Sequence, residues 1–398
     1  MDHLDYQKRL AASLTEREHA FPDTELDRRR HALDSAMARA GLDALLITQP
    51  AEIHYLTGYN TFEVSVHTAL AYRPGEAVLQ VPSIETGPAV AMARCDRILG
   101  YRWEGPGEIL DPLSETLDAM GQTIGLDLGG ASLRPRLVDG LREQLGAARI
   151  VDSQGILARI RRVKSEAEID LLRHSARMTE SGMAAARDAV RAGGTDSEVA
   201  AEAARAMHAA GSEFMSMQPI VVAGMRSSII HTNHRRLLIE AGDPVFMEMG
   251  AACQRYTAPQ MHTVIAGQQG PTDTMRRVAD TIRTVYETLC RAMVPGRSFD
   301  DAARDAEAVF APLADEAFFS GVYGYTVGAQ FPPSWVEGSG FIARGEPDVF
   351  EADMVFHLPL CFRIPGAWGI GFSETVRVTV DGAEPLTHND WHLRGQVF

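Results

Sequence analysis

The sequence is poor in cysteine and contains no long run of apolar residues. A membrane-spanning helix needs about 18 to 20 apolar residues in a row, and the opening stretch MDHLDYQKRL has no signal-peptide core. The four cysteines stand far apart, form no CxxC pair and have no histidine at the spacing of a zinc site. We therefore expect a cytoplasmic protein with reduced thiols. The cysteines are Cys95, Cys253, Cys290 and Cys361.

Positive charge is also scarce. The chain has 38 lysines and arginines against 53 aspartates and glutamates, which gives a net charge of −15. A protein with this balance repels nucleic-acid phosphates and anionic membrane surfaces. We expect neither nucleic acid nor a membrane as a partner.

The length of 398 residues and the hydrophobic content of 45% favour two domains, because single cores rarely grow beyond about 250 to 300 residues. The segment ELDRRRHALDSAMARA has helical periodicity and ends at Gly41, and the strand-like LDALLIT follows it. Further on, Ser165 and Glu168 form a capping box that begins a long amphipathic helix. These patterns predict an N-terminal α/β domain over residues 1–157 and a C-terminal α+β domain over residues 158–398, with helices on a curved sheet.

The stretch GDPVFMEMGAACQ reads as a strand that carries a carboxylate among apolar neighbours. Alternation places Phe246, Glu248 and Gly250 on one face of this strand. Burial on that face would raise the pKa of Glu248 unless a cation offsets it. The alternative is a glutamate on an edge strand that faces water.

Two further groups could carry chemistry. His231 ends the apolar run in SSIIHTNHRR, and histidine is the natural proton shuttle near neutral pH. Alternatively, it is a structural histidine that binds a loop carbonyl. Glu374 follows a glycine-punctuated run and lies in a strand of β-branched residues, where its partners would have to come from elsewhere in the fold.

The stretch GVYGYTVGAQFPPSWVEG is punctuated by glycine and proline, and we interpret it as a loop. Its glycines are irregularly spaced and no lysine follows them, so it is a weak candidate for a phosphate-binding loop. Tyr325 and Trp335 in this stretch could line a small-molecule pocket. They could equally belong to the core.

The order of motifs carries a resemblance to a known family. EIHYLTGY, RRVKSEAEIDLLRHSARM, HTNHRRLLIEAGDPVFMEMG, MVPGRSFDDAA, GYTVGAQFPP, DMVFHLPL and GFSETVRVT resemble the creatinase and Xaa-Pro peptidase family in sequence and spacing, over essentially the whole chain. The resemblance implies an α+β fold, in which a C-terminal pita-bread (creatinase/aminopeptidase) domain follows an N-terminal α/β creatinase-like domain. It also implies a homodimer whose N-terminal domain lines the pocket of the partner, with Phe62 and His67 as lining residues. The alternative is that these two residues belong to the core of their own domain.

The resemblance also implies that no metal and no other cofactor is bound. The metallopeptidases of the family hold two divalent ions with two Asp, one His and two Glu. Two carboxylates out of five ligands are too few for two such ions. The matching positions here are Glu248, Pro259, Tyr325, Pro359 and Glu374.

Within the family, GYTVGAQFPPSW, MVFHLPL and a glutamate followed by RY are similar to the metal-free ectoine hydrolase branch. This implies that Glu248 attacks a cyclic amidine or activates water, that His231 delivers a proton, and that Glu374 binds the cationic nitrogens. The alternatives are an Xaa-Pro dipeptidase-like enzyme, a creatinase-like amidinohydrolase and a non-catalytic binding protein. The candidate substrate-binding residues besides Phe62 and His67 are Tyr325, His357, Arg255, Tyr256 and Trp335.

Overall fold

The computed structural model describes residues 2–395. The chain divides into two compact units, one that extends to Ile160 and one that begins at Arg161. In the described residues, no helix has the length and apolar character needed to cross a membrane.

The first unit is built on a six-stranded mixed sheet. The strand order is β4-β3-β2-β1-β5-β6, in which β1, β5 and β6 run parallel to one another and β2 is antiparallel to both of its neighbours. The predicted helix is present, and Gly41 ends it in the left-handed conformation with φ of 66°. The elements are α1 His3–Ser13, α2 Asp23–Ala40, β1 Ala44–Ile47, α3 Pro50–Thr57, β2 Ala69–Arg73, β3 Glu76–Pro82, α4 Thr86–Met92, β4 Arg97–Tyr101, α5 Leu110–Met120, β5 Ile124–Leu126, α6 Pro135–Leu145 and β6 Ile150–Asp152, and α7 Ile156–Arg162 follows them.

The second unit packs four helices against two sheets, with order β11-β8-β7 in one sheet and β13-β12-β14-β17-β18 in the other. A hairpin, β15-β16, and a short ribbon, β9-β10, complete it. The elements are α8 Glu166–Ala189, α9 Asp196–Ala209, β7 Ile220–Ala223, β8 Pro244–Met249, β9 Ala252–Cys253, β10 Tyr256–Thr257, β11 Gln260–Ile265, α10 Asp273–Ala292, α11 Phe299–Phe310, β12 Gly324–Val327, β13 Val336–Ile342, β14 Val355–His357, β15 Leu360–Ile364, β16 Trp368–Phe372, β17 Thr375–Thr379 and β18 Gly382–Pro385.

The predicted capping box at the start of α8 is present. The Glu168 amide donates to the Ser165 hydroxyl at 3.2 Å, and the Ser165 amide donates to the Glu168 carboxylate at 2.9 Å. Each contact satisfies an amide that the helix itself leaves without a partner, so the two residues together fix where α8 begins.

The helices cover one face of these sheets, which we call the outer face. Val245 and Met247 of β8 pack in the cluster of α8 and α9, and Phe356 of β14 packs in the cluster of α10 and α11 with Phe299. Side chains alternate along a strand, so the residues between these point to the opposite, inner face. The inner face carries the candidate site.

The stretch from Gly321 to Gly338, which we predicted as a loop, contains β12 and the start of β13, which pair in antiparallel fashion. The glycine punctuation misled the prediction because two of these glycines, Gly324 and Gly338, lie within strands. A Cβ at Gly324 would approach the Ile342 Cδ1 atom to 2.7 Å, so this glycine permits close packing between strands. Tyr325 and Val327 have the β-branched or aromatic character of strand residues.

Gly369 of β16 lies against the 3₁₀ turn Gly224–Ser228. The Gly369 amide donates to the Ser227 hydroxyl at 2.8 Å, and a Cβ at Gly369 would lie 2.1 Å from the Ser227 carbonyl oxygen. The absence of a side chain therefore allows the turn that precedes His231 to dock on the hairpin.

We expect Gly369→Ala to force this turn away from β16. The free energy of unfolding should fall by about 1 to 3 kcal/mol, the usual cost of overpacking, as measured by urea denaturation. Gly107→Ala is the control, because a Cβ there meets no atom within 4 Å. An equal loss in both variants would contradict the steric explanation.

Candidate active site

Glu248 lies in the middle strand of its sheet, where it pairs with Ile220 on one side and Met261 on the other. Only 2% of its surface is exposed, and Oε2 has no hydrogen-bond partner among the described residues. Burial raises the pKa of this carboxyl to about 8, and no nearby cation offsets the effect. Glu248 is therefore a buried, largely protonated carboxyl at neutral pH and not an edge-strand residue that faces water.

A chain of hydrogen bonds crosses the inner face beside Glu248. The Trp335 indole N–H donates to the Tyr325 hydroxyl at 2.9 Å, and this hydroxyl lies 2.8 Å from His357 Nδ1. His357 Nε2 lies 2.6 Å from the Ser373 hydroxyl, which accepts the Met261 amide N–H at 2.6 Å. Five residues are thus joined in one polar network, and Tyr325 and Trp335 belong to the same stretch of sequence.

The protonation of this chain follows from its burial. Burial lowers the pKa of His357 to about 3, so the imidazole is neutral and carries one proton. Burial also raises the pKa of Tyr325 well above its usual value, with a further contribution from the Glu248 carboxyl nearby. If His357 carries its proton on Nδ1, Tyr325 accepts two hydrogen bonds and its own O–H is free to donate toward Glu248.

His357 has both ring nitrogens occupied, by Tyr325 and Ser373. It therefore orients Tyr325 and does not donate to a ligand directly. The sequence analysis had instead named His357 as a candidate substrate-binding residue. Tyr325 is partly exposed and remains the group that can donate to a bound molecule.

Glu374 lies in the short extended link between β16 and β17, and its side chain points to the outer face, away from Glu248. Ser373 and Thr375 point toward His357 on the inner face, so the residue between them points outward. The Glu374 carboxylate accepts the Thr387 hydroxyl and the Asn389 amide, although burial still raises its pKa to about 8. In this placement Glu374 fastens the C-terminal segment to the sheet, and it does not share the inner face with Glu248 as the predicted binding of the cationic nitrogens would require.

Arg255 and Tyr256 are engaged elsewhere. The Arg255 guanidinium donates to the backbone carbonyls of Phe214 and Gln330, to the latter at 2.9 Å. The Tyr256 hydroxyl donates to the Glu168 carboxylate at 2.8 Å. Both predicted substrate-binding residues therefore hold the scaffold together.

His231 is exposed and begins the loop after the 3₁₀ turn, with φ of 34°. The preceding Ile230 packs on the cluster that contains Phe246 and Met261, so the loop starts beside the neighbours of Glu248. Asp196 holds the far end of the loop, because it accepts the Leu237 amide at 3.0 Å.

The remaining predicted lining residues lie in the first unit. Phe62 is 73% exposed there. His67 is buried, and its Nε2 lies 2.9 Å from the Gln80 side-chain oxygen. Their predicted contact with a partner subunit stays a prediction.

Residues 170–380 match the model of metallopeptidase family M24, and residues 29–163 match the creatinase/prolidase N-terminal domain. The chain belongs to metallopeptidase family M24. The predicted pita-bread fold with its creatinase-like N-terminal domain is thereby confirmed.

The relatives of the chain differ in activity. An ectoine hydrolase of Halomonas elongata is 23% identical over 385 residues, which are 88% of this chain and 92% of that protein. An Xaa-Pro dipeptidase of Pyrococcus furiosus is 22% identical over 357 residues, or 90% and 97%. The solved prolidase of Pyrococcus horikoshii has a TM-score of 0.78 at 20% identity and covers 92% of this chain and 100% of its own. These comparisons establish a hydrolase family and its fold, and leave the substrate open.

Metallopeptidases of this family would bind divalent ions at five positions that match residues of this chain. Of the five matched ligand positions, Pro259 and Pro359 have no side-chain donor, and the Tyr325 hydroxyl is held by Trp335 and His357. Glu374 faces away, which leaves Glu248 alone. The described residues contain no group of three or more His, Cys, Asp or Glu that could hold a metal ion. This donor set does not fit a pair of divalent ions.

Sequence reasoning missed Ser373 and Cys361. Ser373 anchors His357, and Cys361 packs beside Phe246 and Met261 on the inner face. Alternation along GFSETV is the signal that separates Ser373 from Glu374, but only the position of His357 tells which face is inner.

We expect His357 to carry its proton on Nδ1, because the Tyr325 O–H can then donate toward Glu248. Nitrogen NMR of ¹⁵N-histidine-labelled protein measures the tautomer, with His357→Gln to assign the signals. Tyr325→Phe removes the acceptor of the Nδ1–H group and should shift the proton to Nε2, which faces Ser373. Ser373→Ala should keep the Nδ1 form, and an Nε2-protonated wild type would contradict the arrangement.

Proposed function

We propose that this protein is a metal-independent hydrolase that cleaves a C–N bond in a small cyclic amidine or guanidino acid, with ectoine-type ring opening as the leading reaction. The observation that carries the proposal is the Glu248 carboxyl, which is buried on the inner face without a counter-charge and has an unpartnered oxygen. The similarity to an ectoine hydrolase also supports this proposed reaction.

An amidinium or guanidinium ion fits such a carboxyl because it supplies the missing positive charge. An N–H group of the cation can donate to the unpartnered Oε2 of Glu248, which leaves the other oxygen to act as base or nucleophile, and the ion pair would lower the pKa of Glu248 and ionise it on binding. A peptide carbonyl is neutral and would leave Glu248 without a counter-charge. The site therefore favours a cationic substrate.

The chemistry follows from the same groups. Glu248 attacks the amidine carbon or takes a proton from the water that does, and a tetrahedral centre forms. The Tyr325 O–H donates to this centre, and comparable donors contribute about 3 to 4 kcal/mol in other enzymes. One C–N bond then breaks, and the leaving nitrogen takes a proton, for which His231 is the proposed source. If Glu248 is the nucleophile, water then hydrolyses the covalent intermediate and frees the carboxylate. In either case one water is consumed, and the products are an amide and an amine from an amidine, or a urea and an amine from a guanidino acid.

The proposal changes the substrate contacts expected from the sequence. Glu374 no longer binds the cationic nitrogens, since its carboxylate holds Thr387 and Asn389. We retain the proposal of a homodimer in which Phe62, an exposed aromatic ring of the first unit, contacts the partner.

We expect Glu248→Gln to lower turnover by about 10³-fold or more, as loss of a nucleophile or base does in other hydrolases. Metal-depleted protein is incubated with ectoine, hydroxyectoine, creatine and an Xaa-Pro dipeptide, and products are identified by mass. Glu374→Gln is the control and should keep most of the turnover, because that carboxyl faces the outer side. Cleavage of the dipeptide alone, and only after metal is restored, would contradict the proposal.

Glu248→Gln should also change the pH dependence of stability. Folded Glu248 keeps its proton up to about pH 8, whereas a glutamate in the unfolded chain ionises near the ordinary value of 4.5. Unfolding therefore releases a proton between these values, and the stabilisation present at low pH is lost as pH rises through this window. The variant lacks this loss, so we expect its stability relative to wild type to be greater at about pH 8 than at about pH 5.

Urea denaturation at the two pH values measures this difference. Glu143→Gln, which changes an exposed carboxyl, is the control and should follow the wild type. If Glu248→Gln loses stability with pH as steeply as the wild type does, the pKa of Glu248 is not raised.

A further inference from the structure

Arg363 of β15 is a partly buried arginine whose charge the described residues leave unpaired. Its guanidinium carbon lies 4.5 Å from the centre of the Phe318 ring, and Nε is buried without a hydrogen-bond partner. No described carboxylate forms an ion pair with it. A cation that is removed from water in this way costs free energy unless an anion joins it.

Other buried arginines of the chain have their partners. Arg29 pairs with Glu25 at 2.7 Å, and Arg161 pairs with Glu337 at 3.2 Å. Arg255 donates to backbone carbonyls. Arg29 and Arg255 also lie over aromatic rings, but their guanidinium groups form ion pairs or hydrogen bonds as well. Arg363 differs because, among the described residues, the contact of its guanidinium is to the Phe318 ring alone, which leaves its N–H edge available.

The strand direction places Arg363 on the same face as the candidate active site. Leu360 and Phe362 of β15 pack in the cluster of α10 and α11 on the outer face. Cys361 and Arg363 alternate with them along the strand and therefore point to the inner face. Cys361 packs in one cluster with Phe246 and Met261, which are the neighbours of Glu248.

The electrostatics of Cys361 agree with this placement. Burial raises the pKa of its thiol to about 12, Arg363 acts to lower it and Glu248 acts to raise it. The thiol therefore lies within electrostatic range of both groups. A carboxyl and an unpaired guanidinium flank one region of the inner face.

We propose that Arg363 binds the carboxylate of the substrate, so that the site selects a zwitterion with an amidinium or guanidinium at Glu248 and a carboxylate at Arg363. The choice of ligand rests on the proposed function. The guanidinium offers its N–H edge to two carboxylate oxygens, a geometry that a lysine ammonium does not reproduce. Phe318, stacked on the guanidinium, holds its plane in place.

The test compares ligand pairs that differ in the carboxylate alone. Ectoine is paired with 2-methyl-1,4,5,6-tetrahydropyrimidine, and creatine with 1,1-dimethylguanidine. Calorimetry on the full-length protein gives the Kd of each. We expect the wild type to bind at least one carboxylated ligand more tightly than its partner, and Arg363→Gln to lose about 10- to 100-fold for that ligand alone, as loss of a charged hydrogen bond does.

Two more variants sharpen the comparison. Arg363→Lys keeps the charge and should retain part of the preference. Arg142→Gln, which removes an exposed arginine of the first unit, should change neither ligand of a pair. Urea denaturation should show that Arg363→Gln is folded and no less stable than wild type, because it removes an unpaired cation from a partly buried site.

The outcomes separate this inference from the proposed function. A carboxylate preference that disappears in Arg363→Gln supports the role of Arg363, even if no bound ligand is hydrolysed and the proposed function fails. A preference that persists in Arg363→Gln overturns it. A wild type with no preference in either pair overturns it as well, whether or not turnover is observed.

Discussion

The desolvation of Glu248 is the constraint on which the candidate site depends. A carboxyl in the middle of a sheet, 2% exposed and without a cation beside it, is costly to ionise. In the proposed function, the same missing counter-charge favours a substrate that brings positive charge to this carboxyl.

The rest of the inner face fits this role. Prolines occupy two positions where a metallopeptidase would place carboxylates, so the chain cannot gather several anions around one point. The hydrogen-bond chain from Trp335 through Tyr325 and His357 to Ser373 is built from neutral groups. These neutral groups supply no counter-charge to Glu248, and they hold the Tyr325 hydroxyl in a fixed position before any ligand arrives.

The outer face shows how the same residue type serves another purpose. Glu374 is also buried with a raised pKa, yet its oxygens accept hydrogen bonds from Thr387 and Asn389. Partnered in this way, the carboxylate joins the C-terminal segment to the sheet. The two glutamates lie in different segments and differ in the face of the sheet to which their side chains point. Along an extended segment, this direction reverses with each residue.

The sequence by itself determined the elements whose signals are local. The helix that ends at Gly41, the capping box at Ser165 and the alternation that buries Glu248 were all predictable, because each depends on neighbours within a few residues. The tertiary structure alone decided which groups meet. Ser373 contacts His357, the Arg255 guanidinium donates to backbone carbonyls, and Glu374 faces outward. None of these contacts is local, because strands distant in sequence form the inner face. A residue pattern gives the period of a strand, but only packing decides which of its two faces becomes the site.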